Sequence, residues 1–231
     1  MTLRISGIVL CCALCGCFPQ QAPERLPIYK AVADARQAAG AFHLDLSDAG
    51  LQALPGELGS LAGMAKLTLR GNALGVVGAE IGSLRTLPWA DLGRAGITGL
   101  SPEIGAMEGL QTLYLSDNAL TELPPAIGRL GALRYLNLDR NRLVALPAEI
   151  GDLAALRWLR LNGNPLEALP PSIANLVMLE RLYLRGNRLT ALPAEIGNMK
   201  GLRLLVLEGN PIPEEELGRI RAALPACEVK F

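Results

Sequence analysis

A pattern of leucines repeats along the chain every 23 residues without an insertion. We number the repeats as coils one to eight, which begin at residues 41, 64, 87, 110, 133, 156, 179 and 202. The sixth position of every coil is leucine, from Leu46 in coil one to Leu207 in coil eight, and the fourth position departs from leucine only at Ala90. One coil of this size cannot bury its own apolar side, so the register predicts a stacked solenoid.

Each coil combines a short strand with residues that reverse the chain. The Leu-x-Leu alternation places both leucines on one face of a strand and the residue between them on the other face. Turn residues follow later in the coil, at Pro55, Pro124, Pro147, Pro170 and Pro193 and at Gly59, Gly82, Gly105, Gly128, Gly151 and Gly197. The chain therefore returns to the start of a new strand once in every coil.

An asparagine recurs at the ninth position of six coils. These residues are Asn72, Asn118, Asn141, Asn164, Asn187 and Asn210. The side-chain amide has both donors and an acceptor for backbone groups that a turn leaves unpaired. Ala49 and Ala95 occupy this position in coils one and three, so we expect those two coils to be held less firmly.

The full pattern, Leu-x-x-Leu-x-Leu-x-x-Asn-x-Leu-x-x-Leu-Pro-x-x-Ile-Gly-x-Leu, resembles the leucine-rich-repeat family. It is most similar to the 23-residue type found in bacterial proteins and in plant and animal intracellular proteins. The resemblance covers Ala41 to about Phe231. It implies an α/β fold: a horseshoe-shaped solenoid with a parallel β-sheet on the concave face and short helical or irregular segments on the convex face. It also implies protein binding, the usual role of this family.

Capping segments are expected on both sides of the repeats, which fill residues 41–212. Residues 23–40 carry apolar side chains at helical spacing and predict an N-terminal cap helix. Residues 213–231 predict a C-terminal cap, with a helix that begins at Pro213 and has acidic residues in its first turn, followed by an edge strand. We expect no further domain after this cap.

Residues 1–22 differ in kind from the repeats. Arg4 precedes an apolar stretch that is too short to span a bilayer and is typical of an export signal. The run Leu14-Cys15-Gly16-Cys17 resembles the bacterial lipoprotein box. That resemblance implies a signal peptide at residues 1–16, acyl chains on Cys17 and a tether at residues 17–22.

Alternatives to the lipoprotein interpretation remain at this segment. Cys15 stands where Ala or Ser is more usual, so an ordinary signal peptide cut nearby is one alternative. A cysteine-rich metal site is another, although cysteines inside an apolar run lack the paired loops of a zinc site. Phe18 rather than Asp follows Cys17, which by analogy with Gram-negative lipoproteins favours the outer membrane. We therefore expect an exported chain, lipid-anchored in the bacterial cell envelope or secreted.

The third, fifth and seventh positions of each coil are predicted to face outward on the concave side. Five of the nine aromatic residues in the chain lie at these positions, including both tryptophans. Strands about 4.8 Å apart would align Trp89, Tyr114, Tyr135, Trp158 and Tyr183 into one continuous aromatic strip. Rings edged by arginine are typical of recognition surfaces. The candidate binding residues are Trp89, Tyr114, Tyr135, Asn137, Trp158, Arg160, Arg181, Tyr183 and Arg185. The alternative is that tyrosine at these positions simply covers leucine edges, as it does across the family.

No catalytic or cofactor motif stands out from the repeats. His43 is the only histidine, and no cysteine lies near it in the repeat register. Cys227 lies in the C-terminal cap and is interpreted as an apolar filler. The balance of 22 basic and 22 acidic residues gives no general attraction to nucleic acid. We predict a monomeric, non-catalytic module without metal or cofactor that binds a protein partner. The alternatives are binding of a glycan or peptidoglycan, and a secreted effector-like protein that acts on host proteins.

Overall fold

The computed structural model describes residues 26–231, so the predicted signal peptide, Cys17 and the tether lie outside the described residues. The strands, in chain order, are β1 (Ile28–Tyr29), β2 (Phe42–Asp45), β3 (Met64–Thr68), β4 (Val76–Val77), β5 (Trp89–Asp91), β6 (Gly99–Leu100), β7 (Thr112–Tyr114), β8 (Tyr135–Asn137), β9 (Trp158–Arg160), β10 (Arg181–Tyr183), β11 (Leu204–Val206) and β12 (Glu228–Lys230). Within the described part of the chain, all of them except β4 and β6 form one ten-stranded sheet.

Every neighbouring pair in this large sheet is parallel, and from β5 to β11 the pairing is offset by one full coil. Equivalent positions of successive coils therefore lie side by side in rows that cross the strands. The leucines at the fourth position, such as Leu113, Leu136 and Leu159, are fully buried. Their burial explains why strands of only three residues hold together: each one buries its leucines against the coils before and after it.

Among the described residues, seven short 3-10 helices occupy the opposite side of the coils, at Gly56–Ser60, Ala79–Ser83, Pro102–Ala106, Pro125–Arg129, Ala148–Asp152, Pro171–Asn175 and Ala194–Asn198. Where a proline precedes such a helix, its backbone is extended and its carbonyl can accept an amide from within the helix. In coil four, the Ile127 amide donates to the Pro124 carbonyl at 2.9 Å. Glycine then lets adjacent helices approach closely. A Cβ atom at Gly151 would lie only 2.3 Å from the carbonyl oxygen of Ser172.

The six recurring asparagines bridge consecutive coils. In coil five, the Nδ2 group of Asn141 donates to the carbonyls of Leu115 at 2.9 Å and Leu138 at 3.0 Å. Its Oδ1 atom accepts the Leu120 amide at 3.1 Å. The same two donor bonds, to carbonyls 26 and 3 residues earlier, recur at Asn72, Asn118, Asn164, Asn187 and Asn210.

Although Ala95 predicts a loosely held coil three, other groups form hydrogen bonds at this position. The amide of Leu74, which would meet an asparagine at residue 95, donates instead to the backbone carbonyl of Ala95 at 2.8 Å. The Oδ1 atom of Asn118 accepts two amides, from Ala95 and Ile97, each at 3.0 Å. The neighbouring coils thus supply hydrogen bonds at the position where coil three lacks its own amide.

The second sheet consists of β4 and β6, which pair in parallel between coils two and three. Gly78 and Ser101 stand in these two coils where five of the other coils have proline. Because Ser101 retains an amide hydrogen, it donates to the carbonyl of Val77 at 2.9 Å. A proline at residue 101 would lack that donor. The repeat pattern did not predict this sheet.

The N-terminal cap is less helical than the spacing of residues 23–40 predicted. Helix α1 (Val32–Ala35) has four residues, and β1 before it extends the main sheet by pairing with β2. The ring of Tyr29 meets that of Phe42 edge-on, with centroids 5.5 Å apart. The first coil is therefore covered by a strand and an aromatic side chain as well as by a helical turn.

The C-terminal cap follows the predicted order of helix and edge strand. Helix α2 (Glu214–Ala223) begins after Pro213 and buries Ile220, while β12 pairs with β11. Leu224, just beyond the helix, is also buried. From residue 26 to residue 231, no helix has the length and apolar character needed to cross a membrane.

Candidate functional site

Four aromatic side chains from consecutive coils form an unbroken row on the concave face, which we call the ring row: Trp89, Tyr114, Tyr135 and Trp158. The centroid distances between successive rings are 5.5, 4.9 and 5.9 Å. The ring planes are tilted by 41–57° to one another. Such spacing lies within the range of attractive aromatic pairs. The rings therefore support one another in place before any ligand arrives.

In coil four, the ring that joins the row comes from the fifth position instead of the third. Trp89, Thr112, Tyr135 and Trp158 pair side by side at the third position of their coils. Because Thr112 is small, its row has a gap, and the ring of Tyr114 from the fifth position fills it. Burial raises the pKa of both tyrosines in the row, which keeps both phenols neutral. Tyr135 is the most enclosed member, at 7% exposure.

A cation lies at each end of the ring row. The Nζ atom of Lys66 is 3.8 Å from the ring centroid of Trp89. The guanidinium carbon of Arg181 is 4.5 Å from the ring centroid of Trp158. Both are within cation–π range. The sequence pattern predicted Arg181 as a site residue but not Lys66, although Lys66 stands at the third position one coil before Trp89.

Arg160 is fixed beside the row by a buried carboxylate. Its Nε group donates to Oδ2 of Asp139 at 2.7 Å, and the Asp139 side chain is only 3% exposed. The other Asp139 oxygen accepts the Asn162 amide at 2.7 Å. Burial alone would lower the pKa of Arg160, but its interactions with Asp139 raise it overall, so the guanidinium stays charged. Asn137 joins this cluster because its Oδ1 atom accepts the Asp139 amide at 2.9 Å.

Coil seven carries three predicted site residues that do not belong to the ring row: Arg181, Tyr183 and Arg185. Tyr183 packs under Arg160, whose guanidinium carbon is 4.9 Å from the tyrosine ring centroid. Arg181 occupies the position next to Trp158, so the row ends in a cation there. Arg185 lies two residues beyond the end of β10, its side chain is 70% exposed, and it is 3.5 Å from a carboxylate oxygen of Glu208. The prediction of one strip of five rings was thus too long by one.

His43 and Cys227 lie at opposite ends of the sheet. His43 Nε2 and Thr68 Oγ1 are 2.8 Å apart in the first two coils. Burial raises the pKa of the Cys227 thiol to about 11. In the described range, 26–231, no group of three or more His, Cys, Asp or Glu side chains is arranged to hold a metal ion.

Comparison with known families identifies the repeats. A leucine-rich-repeat model matches residues 83–143, and a leucine-rich-repeat-region model matches residues 126–221. No curated protein matches the chain by sequence. The predicted fold class, a leucine-rich-repeat solenoid with a parallel sheet, is confirmed by the strands and by the solved structures that the chain resembles.

Three solved structures illustrate the likeness. The leucine-rich-repeat ectodomain of the Arabidopsis thaliana receptor kinase GASSHO1/SCHENGEN3, in complex with Casparian strip integrity factor 2, is 29% identical over 82% of this chain and 26% of that chain, with a TM-score of 0.63. The plant peptide hormone receptor RGFR1, in complex with RGF2, is 28% identical over 78% of this chain and 30% of that chain, with a TM-score of 0.63. An internalin from Listeria monocytogenes shares the fold at 19% identity, with coverage of 87% and 63% and a TM-score of 0.61. The chain spans less than a third of the length of either plant receptor chain.

Proposed function

We propose that this chain is a non-catalytic binding module that holds a protein partner against the ring row on its concave face. The observation that carries the proposal is the position of the tryptophans. Both tryptophans of the chain belong to the row, and each is only partly buried. The core does not require them, because the inward-facing residues of the same strands, Ala90 and Leu159, are already buried. Large rings and arginine are the residue types enriched in binding hot spots.

The two plant receptors support a polypeptide as the ligand class. Both were solved as complexes, GASSHO1/SCHENGEN3 with Casparian strip integrity factor 2 and RGFR1 with RGF2. Leucine-rich repeats matching residues 83–221 of this chain include every member of the ring row. A protein partner is therefore favoured over a glycan, which the same aromatic surface would also suit.

The test is capture of partners from the native envelope with the wild-type chain and the double variant Trp89→Ala/Trp158→Ala. Val144→Ala/Val177→Ala is the matched control, because both valines are more than half exposed and lie outside the strands. Proteins captured by wild type and control but lost from the tryptophan variant support the proposal. An unchanged set of proteins would overturn it, and binding to purified cell-wall polymer would favour the glycan alternative.

We further propose that residues 1–16 are removed during export and that Cys17 carries the lipid anchor, in the outer membrane of a bacterial envelope. The lipoprotein-like run Leu14-Cys15-Gly16-Cys17 supports this location. Mass spectrometry of the mature N-terminus tests it. The expected product begins at Cys17 and carries acyl mass. An unmodified terminus, or one that begins after Cys17, would exclude the anchor.

A further inference from the structure

Ion pairs neutralise every carboxylate at the outward-facing positions of the concave strands. Asp45 pairs with Lys30, and Asp91 lies 3.7 Å from Arg70. Asp139 lies 2.6 Å from Arg160, and Glu208 lies 3.5 Å from Arg185. These four pairs leave two cations at those positions, Lys66 and Arg181, without an ion pair to any carboxylate in the described residues.

Lys66 and Arg181, the two cations without an ion pair, are also the cations at the two ends of the ring row. Burial lowers the pKa of Lys66, with Asp91 and Asp45 acting only as weaker opposing charges. Its ammonium group is therefore partly desolvated without a carboxylate in contact. At the other end, Arg181 stacks on Trp158. An apolar row with an unneutralised cation at each end favours a ligand with acids at both ends and apolar groups between.

The separation of the cations sets the scale of that ligand. Five strand-to-strand steps separate β3, which carries Lys66, from β10, which carries Arg181. At about 4.8 Å per step, the two residues lie roughly 24 Å apart along the row. An extended polypeptide advances about 3.3 Å per residue, so it covers this distance in about seven residues.

We infer that the partner presents an extended acidic segment that runs along the ring row, with two carboxylates about seven residues apart on Lys66 and Arg181. Proline or aliphatic side chains between them lie on the four rings. Extended proline-rich segments suit such a surface because they are already ordered and dock on aromatic grooves. The inference rests on the proposed function and adds to it the chemistry and length of the bound segment.

Synthetic peptides test the spacing directly. Three peptides share an alternating Pro-Val composition and carry two aspartates about four, seven or ten residues apart, matched to the length per residue of an extended chain; in a fourth, the seven-residue pair is replaced by asparagine. Binding is followed by tryptophan fluorescence, because both tryptophans of the chain report from the ring row. The seven-residue spacing should bind about fivefold more tightly than the other spacings and the asparagine peptide. Equal affinity for all four, or no binding at millimolar peptide, would overturn the inference.

Variants of the two cations test the contacts. Lys66→Gln and Arg181→Gln should each weaken binding of the seven-residue peptide about fivefold and abolish the preference for that spacing. The controls Arg129→Gln and Lys200→Gln remove exposed cations outside the strands and should bind as wild type does. Thermal unfolding shows whether each variant is folded. Wild-type binding by both row variants would contradict the inference, and the proposed function would still stand if Trp89→Ala/Trp158→Ala loses its captured partners.

Discussion

The two faces of the main sheet follow different rules, although the same strands supply both. In β8, Leu136 faces the interior and is fully buried, and its counterparts in neighbouring coils are leucine as well. Tyr135 and Asn137, on either side of it, face the concave surface and differ from the residues they pair with. The repeated face specifies the solenoid, whereas the varied face carries the ring row. Sequence regularity thus marks structure in this molecule, and departures from it mark the proposed binding surface.

The interior face should show the largest loss of stability. Leu136→Ala removes a fully buried side chain that lies between the leucines of the two neighbouring coils, and it leaves a cavity. We expect its free energy of unfolding to fall by about 3–4 kcal/mol. Urea denaturation followed by circular dichroism measures this loss. A loss no greater than that of a concave-face variant would break the contrast between the faces.

The asparagines should rank next. Asn141→Ala leaves the Leu115 and Leu138 carbonyls and the Leu120 amide without their side-chain partner inside the turn. The expected loss is about 2–3 kcal/mol by the same urea measurement. Asn175→Ala, at an exposed position, is the matched control and should stay within about 0.5 kcal/mol of wild type. Equal effects of the two substitutions would show that the bridging bonds contribute little.

The close packing of the 3-10 helices predicts a smaller loss. Gly151→Ala places a methyl group against the carbonyl of Ser172, so the helices must separate, at a cost of about 1–2 kcal/mol. Gly131→Ala is the control, because a Cβ atom there meets nothing within 4 Å. Differential scanning calorimetry compares the two. An unchanged melting temperature for Gly151→Ala would mean that the glycine is not needed for packing.

The concave face should show the smallest effect on stability. Trp158 is partly exposed and contacts Tyr135 and Arg181 on the concave face, so Trp158→Ala should cost about 1 kcal/mol. Measuring the free energy of unfolding of Trp158→Ala alongside that of Leu136→Ala compares the two faces of the sheet within two adjacent coils. A loss as large as that of Leu136→Ala would indicate that the ring row is part of the core, as expected if its rings simply cover leucine edges.

The repeat register predicted the fold because the buried leucines recur at the same positions of every coil, and this recurrence can be seen in the sequence alone. The same register predicted the outward columns that supply the ring row. It did not predict that Tyr183 packs under Arg160, or that Lys66 ends the row, although each contact joins the same position of adjacent coils. Which neighbouring side chains stack depends on side-chain direction, which the register does not specify. The second sheet was also missed, since it follows from the absence of proline at Gly78 and Ser101 rather than from a positive motif.

Acrylamide quenching of tryptophan fluorescence is the most direct measurement of whether the ring row is the binding surface. The only two tryptophans in the chain are Trp89 and Trp158, near the two ends of the row. When a purified partner identified by capture binds, both should be shielded and the quenching constant should fall by about half or more, because hot-spot residues lose contact with water. Saturated binding that leaves the quenching constant unchanged would place the partner elsewhere and contradict the proposed function.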